Sequence, residues 1–151
     1  MNTDLYTPFL EATRSVFELM LDLSDVEERS SEGFTGDNTM NISIGVIGDL
    51  AGEVVYCFPA ETSLNMVKIM SGMELDSVDE FVTSAISEIS NIISGNVLTI
   101  LADGDLKCDI LPPVIRTADE NKTYALQTAC CLATSAGDVC LDIRLDPTAQ
   151  Q

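Results

Sequence analysis

Residues 77–104 read SVDEFVTSAISEISNIISGNVLTILADG, and the spacing of their apolar members predicts one long helix. Val82, Ala85, Ile86, Ile89, Ile93, Val97 and Ile100 recur at the interval of a buried helical face. Ser77 is placed to cap the helix, and Glu80, three residues on, to complete a capping box. Gly104 follows the last periodic residue, where a left-handed C-terminal cap is expected. A second series runs Ser84, Glu88, Asn91, Gly95. At about 100° per residue these four fall within roughly 60° of one another, nearly opposite the apolar stripe. The plain reading of that line is the solvated side of an amphipathic helix. Two residues pull against it: asparagine is a mediocre helix former, and a mid-helix glycine costs about 1 kcal/mol relative to alanine.

Outward from this helix the chain divides into recognisable pieces. Towards the N-terminus, Thr7-Pro8 reads as a cap and first position of a helix. Its buried face is Phe9, Leu10, Val16, Phe17, Met20 and Leu21. Residues 30–39 are rich in Ser, Gly, Asp and Asn and read as a loop or weak strand. Asn41–Ile47 and Gly52–Phe58 are two strands about the turn Gly48-Asp49-Leu50-Ala51-Gly52, an antiparallel hairpin. A glycine-rich phosphate cradle in GVIGDLAG is set aside, because no Lys-Ser/Thr pair or helix start follows. Ala60–Met73 reads as a helix with Leu64, Met66, Val67, Met70 and Met73 inward.

On the C-terminal side, Leu106–Leu111 is a strand running into Pro112-Pro113, a pair that cannot donate ladder hydrogen bonds and marks a strand end or sheet edge. Val114–Asn121 is a loop or edge segment, Tyr124–Ala133 and Val139–Leu145 a second hairpin, and Pro147–Gln151 a frayed end. The order helix, hairpin, two helices, three strands predicts an α+β fold: a single domain over residues 1–151, its mostly antiparallel sheet covered by helices on one face.

Composition narrows the chemistry. The 151 residues include 25 acidic and 7 basic side chains, net charge −18. Such a surface argues against nucleic acid and anionic membrane as partners. No uninterrupted apolar run reaches the roughly 18 residues that span a bilayer, and no signal peptide is visible, so a cytoplasmic protein is expected. Five cysteines, without a CxxC motif, read as reduced core thiols. Cys130 and Cys131 point to opposite faces of one strand. There is no histidine, which removes histidine acid–base catalysis, His-activated nucleophiles and most zinc sites. What remains is carboxylates, amides, hydroxyls and lysine. Asp49 reads as a turn residue and Asp103 as a helix-end residue, and no metal site is expected.

With these pieces in place, the chain resembles CheX, of the CheC/CheX/FliY group of chemotaxis phosphatases. The likeness is carried by PFLEATRSVF, GVIGDLAGEV, and above all SAISEISNIISGN followed by LPPVI, and runs from about residue 8 to about residue 143. The family signature is Asp or Ser, then Glu, then Asn, then a distant Pro. Ser84, Glu88 and Asn91 fit it without a gap; Pro112 and Pro113 come one or two residues early. CheC carries two copies of the signature and this chain one, as in CheX.

The resemblance implies a protein phosphatase acting on the aspartyl phosphate of a CheY-type response regulator in two-component signalling. It implies Glu88 and Asn91 as the catalytic pair: Asn91 positions the attacking water and Glu88 docks to a lysine of the regulator. Ser84, Gly95, Pro112 and Pro113 would contact the partner. No cofactor is implied on this chain, with Mg²⁺ expected on the regulator, and a homodimer is implied. Two other readings stand beside it. One is a non-catalytic CheX-like adaptor or flagellar-switch-related binding module. The other is a small-molecule domain, for which the strands supply no convergent polar set.

Overall fold

In a computed structural model of the chain, residues 5–29, 39–116 and 122–148 are described. Three helices and seven strands lie among them: α1 (Tyr6–Leu21), β1 (Glu27–Arg29), β2 (Thr39–Gly48), β3 (Leu50–Pro59), α2 (Ala60–Ser71), α3 (Glu80–Asp103), β4 (Cys108–Ile110), β5 (Val114–Ile115), β6 (Leu126–Thr134) and β7 (Gly137–Pro147). The strands make one antiparallel sheet in the order β1-β6-β7-β3-β2-β4, with β5 also pairing β2. Both expected hairpins form, β2–β3 from Thr39↔Pro59 to Val46↔Gly52 and β6–β7 from Leu126↔Leu145 to Thr134↔Gly137. Gly48, at φ 117, is the residue the first turn needs: a Cβ there would lie 2.6 Å from the Lys107 carbonyl.

Side chains alternate across the sheet, and the register fixes which row goes where. Ile42, Ile44 and Val46 of β2, Val54, Tyr56 and Phe58 of β3, and Leu141, Ile143 and Leu145 of β7 share one face. They form the core with the helices. Ser43, Glu53, Val55, Cys131, Cys140 and Arg144 point the other way, and they too are buried. Side chains from beyond β4 reach that second face. Leu111 lies over Gly45, Arg116 pairs with Glu53, and Arg144 donates to the Lys122 carbonyl at 2.7 Å beneath the Tyr124 ring. Ser43 donates to the same Glu53 carboxylate at 2.8 Å.

Several local expectations need correcting. α3 is capped by Asp79, whose carboxylate accepts from Val82 N–H at 3.0 Å, rather than by Ser77, so Glu80 is its first residue and no capping box forms. An aspartate caps as well as a serine and adds favourable charge at the positive helix end. At the other end Gly104 has φ −98, and the left-handed residue is Asp105, one position later. α1 begins at Tyr6, ahead of Thr7-Pro8, and leaves Met20 exposed. α2 stops at Ser71, because Gly72 takes a left-handed conformation (φ 76); Met70 and Met73 are exposed rather than inward. β1 was not foreseen; it adds to the free side of β6. Pro147 is paired in β7, and Thr148 N–H bonds the Asp49 carbonyl at 2.9 Å, so that end is held as far as it is described. Residues 30–38, 117–121 and 149–151 of the loop and tail expectations lie outside the described residues.

The cysteines also depart from expectation. Cys131 and Cys140 are register partners on β6 and β7 and are joined by a disulfide, while Cys57, Cys108 and Cys130 are free. Only the hairpin register places the bonded pair opposite each other, which residue spacing alone does not reveal. Burial pushes the Cys57 and Cys130 thiols up to about 11.

Candidate functional site

By length and mean hydropathy α3 is the one described helix that could cross a bilayer. Its placement is that of a core helix. Val82, Ile86, Ile89, Ile93, Val97 and Leu101 are buried against the sheet and α1. That packing turns the other side of the helix outward. Ser84 and Glu88 are exposed and Asn91 and Gly95 half-buried, all on one strip. Glu88 and Asn91 are three residues apart, so their heads are neighbours on the helix surface. Among the described residues neither is engaged in a hydrogen bond or ion pair. A Cβ added at Gly95 would meet nothing within 4 Å, so no packing within this chain calls for a glycine there.

Pro112 and Pro113 stand on a different element, the bend between β4 and β5 at the sheet edge, Pro112 exposed and Pro113 half-buried. α3 packs on β2 and β4 next to that edge. A cleft of about 380 Å³ opens at the N-terminal flank of α3, lined by Val78, Thr83, Ala60 and Arg116 among others, with neither Glu88 nor Asn91 in its wall. The described residues contain no group of three His, Cys, Asp or Glu side chains placed to hold a metal.

Two features of the strip escaped sequence reasoning. Phe81 is 48 % exposed and lies, at about 100° per residue, on the same side of α3 as Glu88; its position off the apolar stripe was visible but unused. Ser94 is buried, one turn beyond Asn91, and its hydroxyl meets that of Tyr56 at 2.6 Å. Burial holds the Tyr56 phenol above its ordinary range, so it stays protonated and able to donate. Nothing in the sequence links two residues 38 positions apart on a strand and a helix.

The sequence pattern of the family described as Chemotaxis phosphatase CheX matches residues 40–135. The chain belongs to the CheX family. The span that matches CheX contains all of α3 and both prolines. The chain is 31 % identical over 107 residues to the CheY-P phosphatase CheX of Thermotoga maritima, covering 67 % of this chain and 69 % of that one. Among solved structures it is similar to the chemotaxis protein CheX of Vibrio vulnificus, with TM-score 0.83, 21 % identity, and 95 % and 97 % of the two chains covered. It is also similar to the chain in a CheX-CheY-BeF₃-Mg²⁺ complex from Borrelia burgdorferi, with TM-score 0.74, 23 % identity, and 96 % and 99 % covered. The CheX fold, a single domain of antiparallel sheet and three helices, is therefore shown for this chain.

Proposed function

We propose that this chain is a protein phosphatase that removes the phosphoryl group from the aspartate of a CheY-type response regulator, working in the cytoplasm. The observation that carries the reading is the pair Glu88 and Asn91, side by side, unengaged, and turned outward on a 24-residue helix whose other side is core. A side chain that must enter another protein's site needs that combination of rigidity and freedom.

The chemistry suits the residues present. An aspartyl phosphate is a reactive acyl phosphate, so hydrolysis depends chiefly on positioning and charge compensation. The Asn91 amide accepts a hydrogen bond from the attacking water through Oδ1 and donates one through Nδ2, aligning the water with the phosphorus, and the water's protons leave with the phosphate. The water oxygen forms the new P–O bond as the bond to the aspartyl oxygen breaks. Inorganic phosphate leaves, and the regulator's carboxylate is restored. Glu88 pairs with a lysine of the regulator and anchors the docked helix. The regulator supplies Mg²⁺, and this chain supplies no metal of its own. Ser84 and Gly95, small or without a side chain, let the partner approach, and Pro112-Pro113 adds to the contact. The reading includes a homodimer formed in part through the sheet.

The test mixes the protein with a Mg²⁺-bound phosphorylated CheY-type regulator and follows loss of phosphate. The wild type should accelerate the loss, Asn91→Ala should abolish the acceleration, and Glu88→Ala should raise KM. Complex formation without acceleration would overturn the catalytic reading and leave an adaptor.

A further inference from the structure

The side of α3 that faces the sheet is a row of aliphatic residues, and aliphatic packing has no direction. Val82, Ile86, Ile89, Ile93, Val97 and Leu101 hold the helix in the core, but none of them makes a directional bond that fixes its rotation about its own axis. A small rotation is what the outward pair cannot tolerate. With side chains the helix has a radius of about 5–6 Å, so a turn of about 10° moves an outward head group by about 1 Å. A misplacement of that size can cost on the order of a hundredfold in rate.

One directional contact opposes the rotation. Tyr56 is fully buried on β3, the strand paired on one side to β2 and on the other to β7, with Ile42 and Leu141 as its register neighbours. Its hydroxyl meets that of Ser94, 3 % exposed, at 2.6 Å. Ser90, the other buried serine of α3, returns its hydroxyl to the Ile86 carbonyl at 3.0 Å and so ties the helix only to itself. Ser94 ties it to the sheet. Three residues from Asn91, it lies one turn along and about 60° around the helix. In this dry setting a hydroxyl left alone is costly, so the two groups hold each other in one geometry.

We infer that Tyr56 and Ser94 are positioning residues: their buried hydrogen bond sets the rotation of α3 and so aims Asn91 and Glu88 at the phosphorylated partner. The inference rests on the phosphatase reading given above. Neither residue touches substrate, and their effect on the reaction passes through Asn91.

Three variants test it: Tyr56→Phe, Ser94→Ala, and the double variant. Each is assayed for kcat and KM with a phosphorylated CheY-type regulator, for affinity to the regulator carrying beryllium fluoride and Mg²⁺, and for its unfolding midpoint. Either single change should lower kcat about tenfold with KM altered less than about twofold, because the docking surface stays intact while the aim is lost. The double variant removes both hydroxyls and strands neither, so its midpoint should recover relative to the single variants. Its kcat should stay low, which a merely structural role would not produce. A double variant with wild-type kcat, or single variants whose lost activity matches the fraction unfolded, would overturn the inference. A wild type that binds the regulator without accelerating dephosphorylation would instead remove the phosphatase reading, and this inference with it.

Discussion

Replacing Gly95 by alanine should make this protein more stable and a poorer enzyme. The glycine lies well inside α3, eight residues from its C-terminal end at Asp103. Glycine at such a position is less favourable than alanine by about 1 kcal/mol, because it gives up more backbone freedom on folding. The gain is realised only where the added methyl fits, and here it meets nothing within 4 Å. Stability should therefore rise by about 1 kcal/mol. That corresponds to roughly 2–4 °C in Tm for a chain of this size, with the urea midpoint shifted and its slope unchanged. The same methyl stands on the strip with Glu88 and Asn91, where the regulator is to press against the helix. Holding the partner back by about the width of a methyl should lower kcat/KM at least about tenfold, equivalent to about 1.4 kcal/mol of transition-state stabilisation. Thermal and urea melts paired with the phosphate-release assay read both effects on one sample. A variant that is more stable and fully active would refute the idea that the glycine serves a partner's approach. A destabilised variant would point to a role within the chain that the open space around Gly95 does not show.

The cap of α3 supplies a second prediction: Asp79→Ala should cost about 1 kcal/mol in a chemical melt, whereas Ser77→Ala should change stability by less than about 0.5 kcal/mol. The Cys131–Cys140 bond closes a short loop of separation 9. By chain entropy it should contribute about 2–3 kcal/mol, lost in Cys131→Ala/Cys140→Ala or on reduction and visible as a lower Tm. The raised thiols set a limit at high pH. Cys57 and Cys130 keep their protons in the folded chain up to about 11, whereas an ordinary thiol titrates near 9. Folding is therefore helped in full below pH 9, and that help drains away as pH climbs towards 11. Denaturant midpoints taken from pH 8 to 11 should fall across that window, and less steeply in Cys57→Ala.

What could be read in advance follows the strength of each local signal. α3 was legible because its apolar period persists over about five turns, and the strip opposite was legible as soon as the helix was. The hairpins were legible from alternation and glycine turns. Caps were not: Ser77, Asp79 and Glu80 all suit a helix start, and the decision belongs to packing at the α2–α3 connection. β1, three residues of charge with no alternation, exists only because β6 offers it an edge. Met70 and Met73 have helical spacing, yet Met70 is exposed within α2 and Met73 lies beyond Gly72, which ends the helix. The disulfide and the Tyr56–Ser94 bond depend on register between distant pieces of chain, which no local pattern encodes. For the candidate site, residue type and spacing marked only the strip of Ser84, Glu88, Asn91 and Gly95, and the family resemblance picked Glu88 and Asn91 out of it. The buried hydroxyls behind them became visible only with the sheet in place.

The outward strip of α3 has a consequence for how such a protein can change over generations. Glu88 and Asn91 are turned away from the core, and their side chains are gripped by nothing among the described residues. Selection for a sound fold is therefore blind to them. A descendant could exchange both and melt, fold and express as before, its trade gone and its outline intact. Thermal shift and solubility screens would pass that silent descendant, and only a phosphorylated partner in the cuvette would tell it from a working one.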